Sequence, residues 1–187
     1  MRNPIARMRL MSWYGSETTR LMLLGLDAAG KSTILRGLGL SDITTWWPFS
    51  GCQIEAVQYR NVCIDCYDLG GSDLMGSSKA RRLFCRDRSA VVFVFNCSEY
   101  DVGRIEDARR VLHQYMSEDA LIGTPLLVLA NKQDLPSAMS VDQVTECLHL
   151  RDLAGREWRV QPTVGTRGRG VKAGFKWLGK QLRRLRH

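Results

Sequence analysis

"GLDAAGKST", Gly25 to Thr33, decides how this chain folds. It follows the apolar run "TTRLMLLG" (Thr18–Gly25), which reads as a buried strand ending in glycine, and it precedes a helical stretch. A GxxxxGK[ST] sequence between a strand and a helix is a phosphate-binding loop. Gly25 and Gly30 permit the tight backbone. The amides of Asp27, Ala28, Ala29, Gly30, Lys31 and Ser32 can point inward and cradle phosphate oxygens, with Thr33 closing the motif. Lys31 can reach the β- and γ-phosphates, and the Ser32 hydroxyl can bind Mg²⁺.

Outward from this loop, strand and helix patterns alternate. "CQIEAVQY" and "NVCIDCYD" alternate in polarity and flank Arg60, which predicts a hairpin over Cys52–Asp68. "AVVFVFN" (Ala90–Asn96) and "PLLVLAN" (Pro125–Asn131) are continuous apolar strands, as in a parallel sheet buried on both faces. "WRVQPT" is a sixth candidate strand. In "DVGRIEDARRVLHQYM", Ile105, Ala108, Leu112 and Met116 recur at helical spacing. "SVDQVTECL" opens with a capping box, Ser140 and Gln143. This alternation predicts an open α/β sheet with helices on both faces. Ligands of such sheets bind at the C-terminal ends of the strands, where the polar motifs fall here.

Two of those motifs add to the phosphate loop. "NKQD", Asn131 to Asp134, follows the strand "PLLVLA". An aspartate there can accept hydrogen bonds from guanine N1–H and the 2-amino group, which adenine does not offer in that geometry. Asn131 would brace the loop and Lys132 would lie along the base. "DLGG", Asp68 to Gly71, ends the strand "NVCIDCYD". Asp68 would hold a water on Mg²⁺, and the Gly71 amide would reach for a γ-phosphate and so sense GTP against GDP.

The bulk properties set the limits. A chain of 187 residues, 44% hydrophobic and 25% charged, suits one domain with a real core. No apolar run approaches the roughly 18 residues that span a membrane. Arg7 and Arg9 interrupt the N-terminal apolar residues, against a signal peptide. The cysteines 52, 63, 66, 85, 97 and 147 read as reduced thiols of a cytoplasmic protein, because Cys63 and Cys66 fall in a strand and no second pair sits at zinc spacing. Net charge is +8, and "TRGRGVKAGFKWLGKQLRRLRH" carries eight Lys or Arg and no acid. On a helical wheel Val171, Phe175, Leu178, Leu182 and Leu185 share one stripe, opposite Lys172, Lys176, Lys180, Arg183 and Arg184. That basic back is either a solvated helix face or a contact for an anionic partner.

These motifs carry a resemblance. "GLDAAGKSTIL", "YDLGG", "ANKQDLPSAMS" and "WRVQPT" resemble the Arf and Arf-like branch of the Ras-superfamily GTPases, over roughly Thr18 to Leu182. The resemblance implies a three-layer P-loop GTPase domain with a six-stranded, mostly parallel sheet, and GTP or GDP with Mg²⁺ as ligands. It also implies a nucleotide-driven shift of the hairpin between the two switches. Effectors, an exchange factor and an activating protein would read those switches. The expected organisation is a leader over 1–17 and a single GTP-binding domain over 18–187, monomeric, with no nucleic-acid partner.

The departures concern catalysis. The family's switch I usually reads "PTxGF", with a Thr that closes over Mg²⁺ and the γ-phosphate; here "PFSGC" puts Phe49 at that place, with Ser50 beside it. The family's "DVGGQ" ends in the Gln that orients the attacking water, and Ser72 stands there instead, the sole candidate left at that catalytic position. "VGT" (Val164–Thr166) replaces "CAT" or "SAK", with the Gly165 amide still able to meet the guanine oxygen and Thr166 following it. Position 2 is Arg where many Arf proteins carry a myristoylated Gly, so any membrane contact is expected to be peripheral, through the apolar, basic leader and the C-terminal basic face. A cycling but slow GTPase and a non-hydrolysing, nucleotide-bound scaffold both fit these residues.

Overall fold

In the computed structural model, the structure describes residues 18–40, 44–49, 52–59, 62–67 and 78–185, with the backbone alone for 44–49, 52–54, 58–59 and 80. The leader 1–17, Ser50, Arg60, Asp68, Gly71 and Ser72 lie outside the described residues. Seven strands are described: β1 (Thr19–Leu24), β2 (Thr44–Phe49), β3 (Cys52–Tyr59), β4 (Val62–Tyr67), β5 (Ala90–Asn96), β6 (Leu126–Asn131) and β7 (Trp158–Pro162). Five helices accompany them: α1 (Lys31–Gly37), α2 (Ser78–Cys85), α3 (Val102–Met116), α4 (Val141–Cys147) and α5 (Val171–Leu185).

They form one sheet in the order β2-β3-β4-β1-β5-β6-β7. The five strands from β4 to β7 pair in parallel, while β2 and β3 pair antiparallel at the other edge. The α/β architecture expected from the sequence is present, with all six candidate strands. The seventh, β2, pairs Thr44 with Ala56 and Phe49 with Cys52. Pro48 lies inside it, which an edge strand tolerates because one side of its backbone needs no partner.

Side chains alternate across the sheet and build two apolar layers. Met22, Leu24, Tyr67, Phe93 and Val128 pack against Phe84 of α2, Leu112 of α3 and Val144 of α4. Leu21, Leu23, Ile64, Cys66, Val92 and Leu129 pack against Ile34 and Leu35 of α1 and Phe175, Leu178 and Leu182 of α5. In α3 the helical spacing turns Ala108, Leu112 and Met116 inward, and Asp101 caps the N-terminus by accepting from Gly103 N at 2.8 Å. The capping box of α4 is formed: Ser140 Oγ accepts from Gln143 N, and Gln143 Oε1 accepts from Ser140 N at 2.9 Å.

The apolar stripe of α5 buries Val171, Phe175, Leu178 and Leu182, but Leu185, the last residue of the helix, is 63% exposed. Lys172, Lys176, Lys180, Arg183 and Arg184 are all exposed. The five described cysteines, 63, 66, 85, 97 and 147, form no disulfide. No helix of the described residues is long and apolar enough to cross a membrane.

Candidate nucleotide site

The phosphate loop leaves β1 at the centre of the sheet, where Leu21 to Leu24 are fully buried. Gly25 passes so close to β5 that a Cβ there would stand 2.5 Å from the Val94 carbonyl oxygen. Gly30 has φ +99, and a Cβ would stand 2.4 Å from Asn131 Nδ2. Both motif glycines are therefore required by contact as well as by turn geometry. Ala28 holds φ 57 between them, a left-handed conformation that costs a non-glycine residue energy and is frequent where a loop shapes a site. Lys31 is 5% exposed, and its Nζ donates to Gly25 O at 2.8 Å and Leu26 O at 2.7 Å. The ammonium thus lies inside the loop whose Asp27–Ser32 amides the sequence assigns to phosphate. Ser32 and Thr33 follow on the first turn of α1, half-buried.

Asn131 ties this loop to the second motif. It ends β6, beside Asn96 of β5, and is 3% exposed. Its Nδ2 donates to Ala29 O at 2.9 Å, across 102 residues of sequence. Its Oδ1 accepts from Gly165 N at 2.9 Å and from Thr163 Oγ1 at 3.3 Å. One amide side chain joins the phosphate loop, the "NKQD" loop and the loop after β7. The brace expected of Asn131 is present, and its partners are now specified. Gly165 N, expected from sequence to meet the guanine oxygen, donates here to Asn131 Oδ1. Lys132 takes φ 67 and is half-buried; Asp134 and Thr166 are exposed.

A phosphate loop clasped to an "NKQD" loop at the carboxyl ends of a parallel sheet is the arrangement of a P-loop GTPase domain. The model of the ADP-ribosylation factor family matches residues 6–182. The chain belongs to this family. Arf-family membership implies nucleotide and Mg²⁺ binding in general.

Beside the phosphate loop of this Arf-family domain, Ser32 makes a contact that the motifs do not predict. Ser32 Oγ donates to Glu55 Oε2 of β3 at 2.7 Å. The Ser32 hydroxyl and the Glu55 carboxylate both offer hard oxygen donors, the kind Mg²⁺ takes, so the chemistry of the residues present fits such a cation. Phe49 lies on the edge strand with its backbone in register with Cys52. Asp68, Gly71, Ser72 and Ser50 are outside the described residues, and among the described ones no group of three His, Cys, Asp or Glu converges.

Motif reading missed three further residues. Glu55 stands in an alternating strand and carries no signal of its own. Arg104 of α3 donates to Asp27 O at 3.2 Å and Asp27 Oδ1 at 3.1 Å, and its Nε donates to Glu99 Oε2 at 2.9 Å. It thereby pins the outer wall of the phosphate loop, and those hydrogen bonds push its pKa up. Arg88 joins β4 to α2. The pairings of Glu55 with Ser32, Arg88 with Asp65 and Arg104 with Asp27 span sequence distances that no local pattern encodes.

Proposed function

We propose that this chain is an Arf-like GTP-binding switch. The observation that carries the reading is the Asn131 clasp, which brings the phosphate loop and the "NKQD" loop to one place. In this reading Lys31 and the amides of Asp27 to Ser32 hold the phosphates, and Asp134 with Lys132 selects guanine. The Gly165 amide meets the guanine oxygen, beside Thr166. Ser32, Asp68 and Glu55 serve Mg²⁺. Bound Mg²⁺ would supply charge neutralisation to the phosphates. The Gly71 amide senses the γ-phosphate, and effectors, an exchange factor and an activating protein read the switches and the hairpin between them.

Hydrolysis in this reading is slow. Catalysis of phosphoryl transfer rests on positioning and charge stabilisation, and the Ser72 side chain is too short to hold a water where Gln would. Phe49 brings no ligating oxygen, which favours a second reading: a non-hydrolysing, nucleotide-bound scaffold. Single-turnover hydrolysis of bound GTP, with and without Mg²⁺, separates the two. Mg²⁺-dependent GDP formation supports the cycling switch, and GTP that stays bound and uncut supports the scaffold.

The exposed basic face of α5 adds a peripheral contact with anionic membrane to this proposal, together with the leader. Each Lys or Arg near such a surface contributes about 1 kcal/mol, screened by salt. The chain with Lys172, Lys176 and Lys180 changed to Ala is expected to lose sedimentation with phosphatidylserine vesicles. Unchanged sedimentation removes α5 from the contact.

A further inference from the structure

Arg88 lies in the turn after α2, far in sequence from every motif of the nucleotide site. Its side chain is only 9% exposed. A guanidinium buried to that degree must find acceptors, and this one finds three. Its Nε donates to Phe84 O at 2.7 Å, its Nη2 donates to the Tyr67 hydroxyl at 2.8 Å, and its Nη1 pairs with Asp65 Oδ2. It also lies 5.9 Å from the centroid of the Tyr67 ring, which packs on Phe84 at 5.1 Å between centroids. Asp65 and Tyr67 end β4, and Phe84 belongs to α2. One guanidinium therefore joins the strand that leads into residues 68–77 to the helix that leads out of them.

The strand register gives this clamp a second consequence. Glu55 pairs with Cys66, between the pairs Ala56 with Asp65 and Ile54 with Tyr67. Cys66 faces the α1 and α5 layer, and Tyr67 faces the α2 and α3 layer. The hairpin is thus pinned at one level through both faces of the sheet. Glu55 is held by Ser32 on one side, and Asp65 with Tyr67 is held by Arg88 on the other.

We propose that Arg88 is a positioning residue of the magnesium corner: by fixing the end of β4 it keeps Glu55 against Ser32 and anchors the strand that ends one residue before Asp68. The inference rests on the guanine-nucleotide reading above. Lysine at position 88 would keep the charge but lacks the fork that reaches three acceptors in different directions.

The test is nucleotide release from the full chain loaded with a fluorescent GDP analogue, measured in millimolar Mg²⁺ and again in EDTA. Loss of a residue that orients metal ligands typically costs 10- to 100-fold in metal affinity. Arg88→Met is therefore expected to speed release in Mg²⁺ about tenfold or more while leaving the EDTA rate within about twofold. Arg88→Lys is expected to recover part of the Mg²⁺ effect, and Asp65→Asn to show a smaller shift in the same direction. Where Arg88→Met does not fold, these two variants decide. Equal acceleration with and without Mg²⁺ would make Arg88 merely structural, and an unchanged Mg²⁺ rate would also overturn the proposal. A wild-type chain that binds no guanine nucleotide overturns the functional reading itself, and this inference with it. Wild-type binding with unaltered variant ratios overturns this inference alone.

Discussion

The two halves of the site are held together in different ways. The base and phosphate half hangs on β1, β5 and β6, the fully buried centre of the sheet, and is closed by hydrogen bonds from one neutral side chain, Asn131. The half proposed to carry the switches lies at the antiparallel edge, β2 to β4, and is closed by charged side chains: Glu55 on Ser32 and Arg88 on Asp65 and Tyr67. A neutral clasp at the sheet centre suits a part that must stay fixed whichever nucleotide is bound. Charged pins at the sheet edge suit a part that a phosphate and a cation can compete for.

The sharpest way to break this comparison is at Asn131. Asn131→Ala removes three hydrogen bonds and leaves the Ala29 carbonyl and the Gly165 amide without that partner. Each unsatisfied buried group costs about 1–3 kcal/mol, so the variant is expected to lose about 3 kcal/mol of stability and to bind nucleotide at least about 100-fold more weakly. Denaturant unfolding and nucleotide titration check the two values. A variant of normal stability would show that the clasp holds nothing together.

Each half also carries a buried thiol, Cys97 beside Asn131 and Cys85 at the end of α2, and burial pushes both up to about 12 from 9.0. Between those values the unfolded chain has lost the proton and the native chain keeps it. Stability is therefore intact below pH 9, falls as pH rises through 9 and levels off near 12. The loss is expected to be about 1 kcal/mol per thiol by pH 10. Cys97→Ala and Cys85→Ala should each remove one thiol's share of that slope, which unfolding midpoints from pH 8 to 10 would reveal.

Glu55→Gln tests the charged side. Glutamine keeps an acceptor for Ser32, so stability should hold while the Mg²⁺ needed to slow nucleotide release rises about tenfold. Arg104→Ala should do least. Arg104 and Asp27 are 37% and 54% exposed, and exposed pairs contribute less than about 1 kcal/mol. A large loss of nucleotide affinity on Arg104→Ala would move the outer wall of the phosphate loop into the part that must stay fixed.

What the sequence made legible follows the same division. "GLDAAGKST", "NKQD" and the buried strands are local patterns, and each one's structure follows from its own residues and its neighbours. The Asn131 brace could be expected because its position within "NKQD" implies it. Strand β2 was hidden because Pro48 interrupts "TTWWPF", and only pairing with β3 makes it a strand. Glu55, Arg88 and Arg104 were hidden because their partners lie 23, 23 and 77 residues away, where periodicity carries no information. Leu185 fits the α5 stripe on a wheel, but it is the last residue of the helix and is exposed, which periodicity alone does not show.

The most direct test of the central claim is the identity of the nucleotide that the purified full chain holds, followed by competition between guanine, xanthine and adenine nucleotides on the wild type and on Asp134→Asn. The account predicts bound GDP or GTP, displaced by guanine but not adenine nucleotides, with Asp134→Asn losing guanine affinity by about 100-fold or more and gaining preference for xanthine. A chain that carries no guanine nucleotide, or one that adenine displaces equally well, would contradict it.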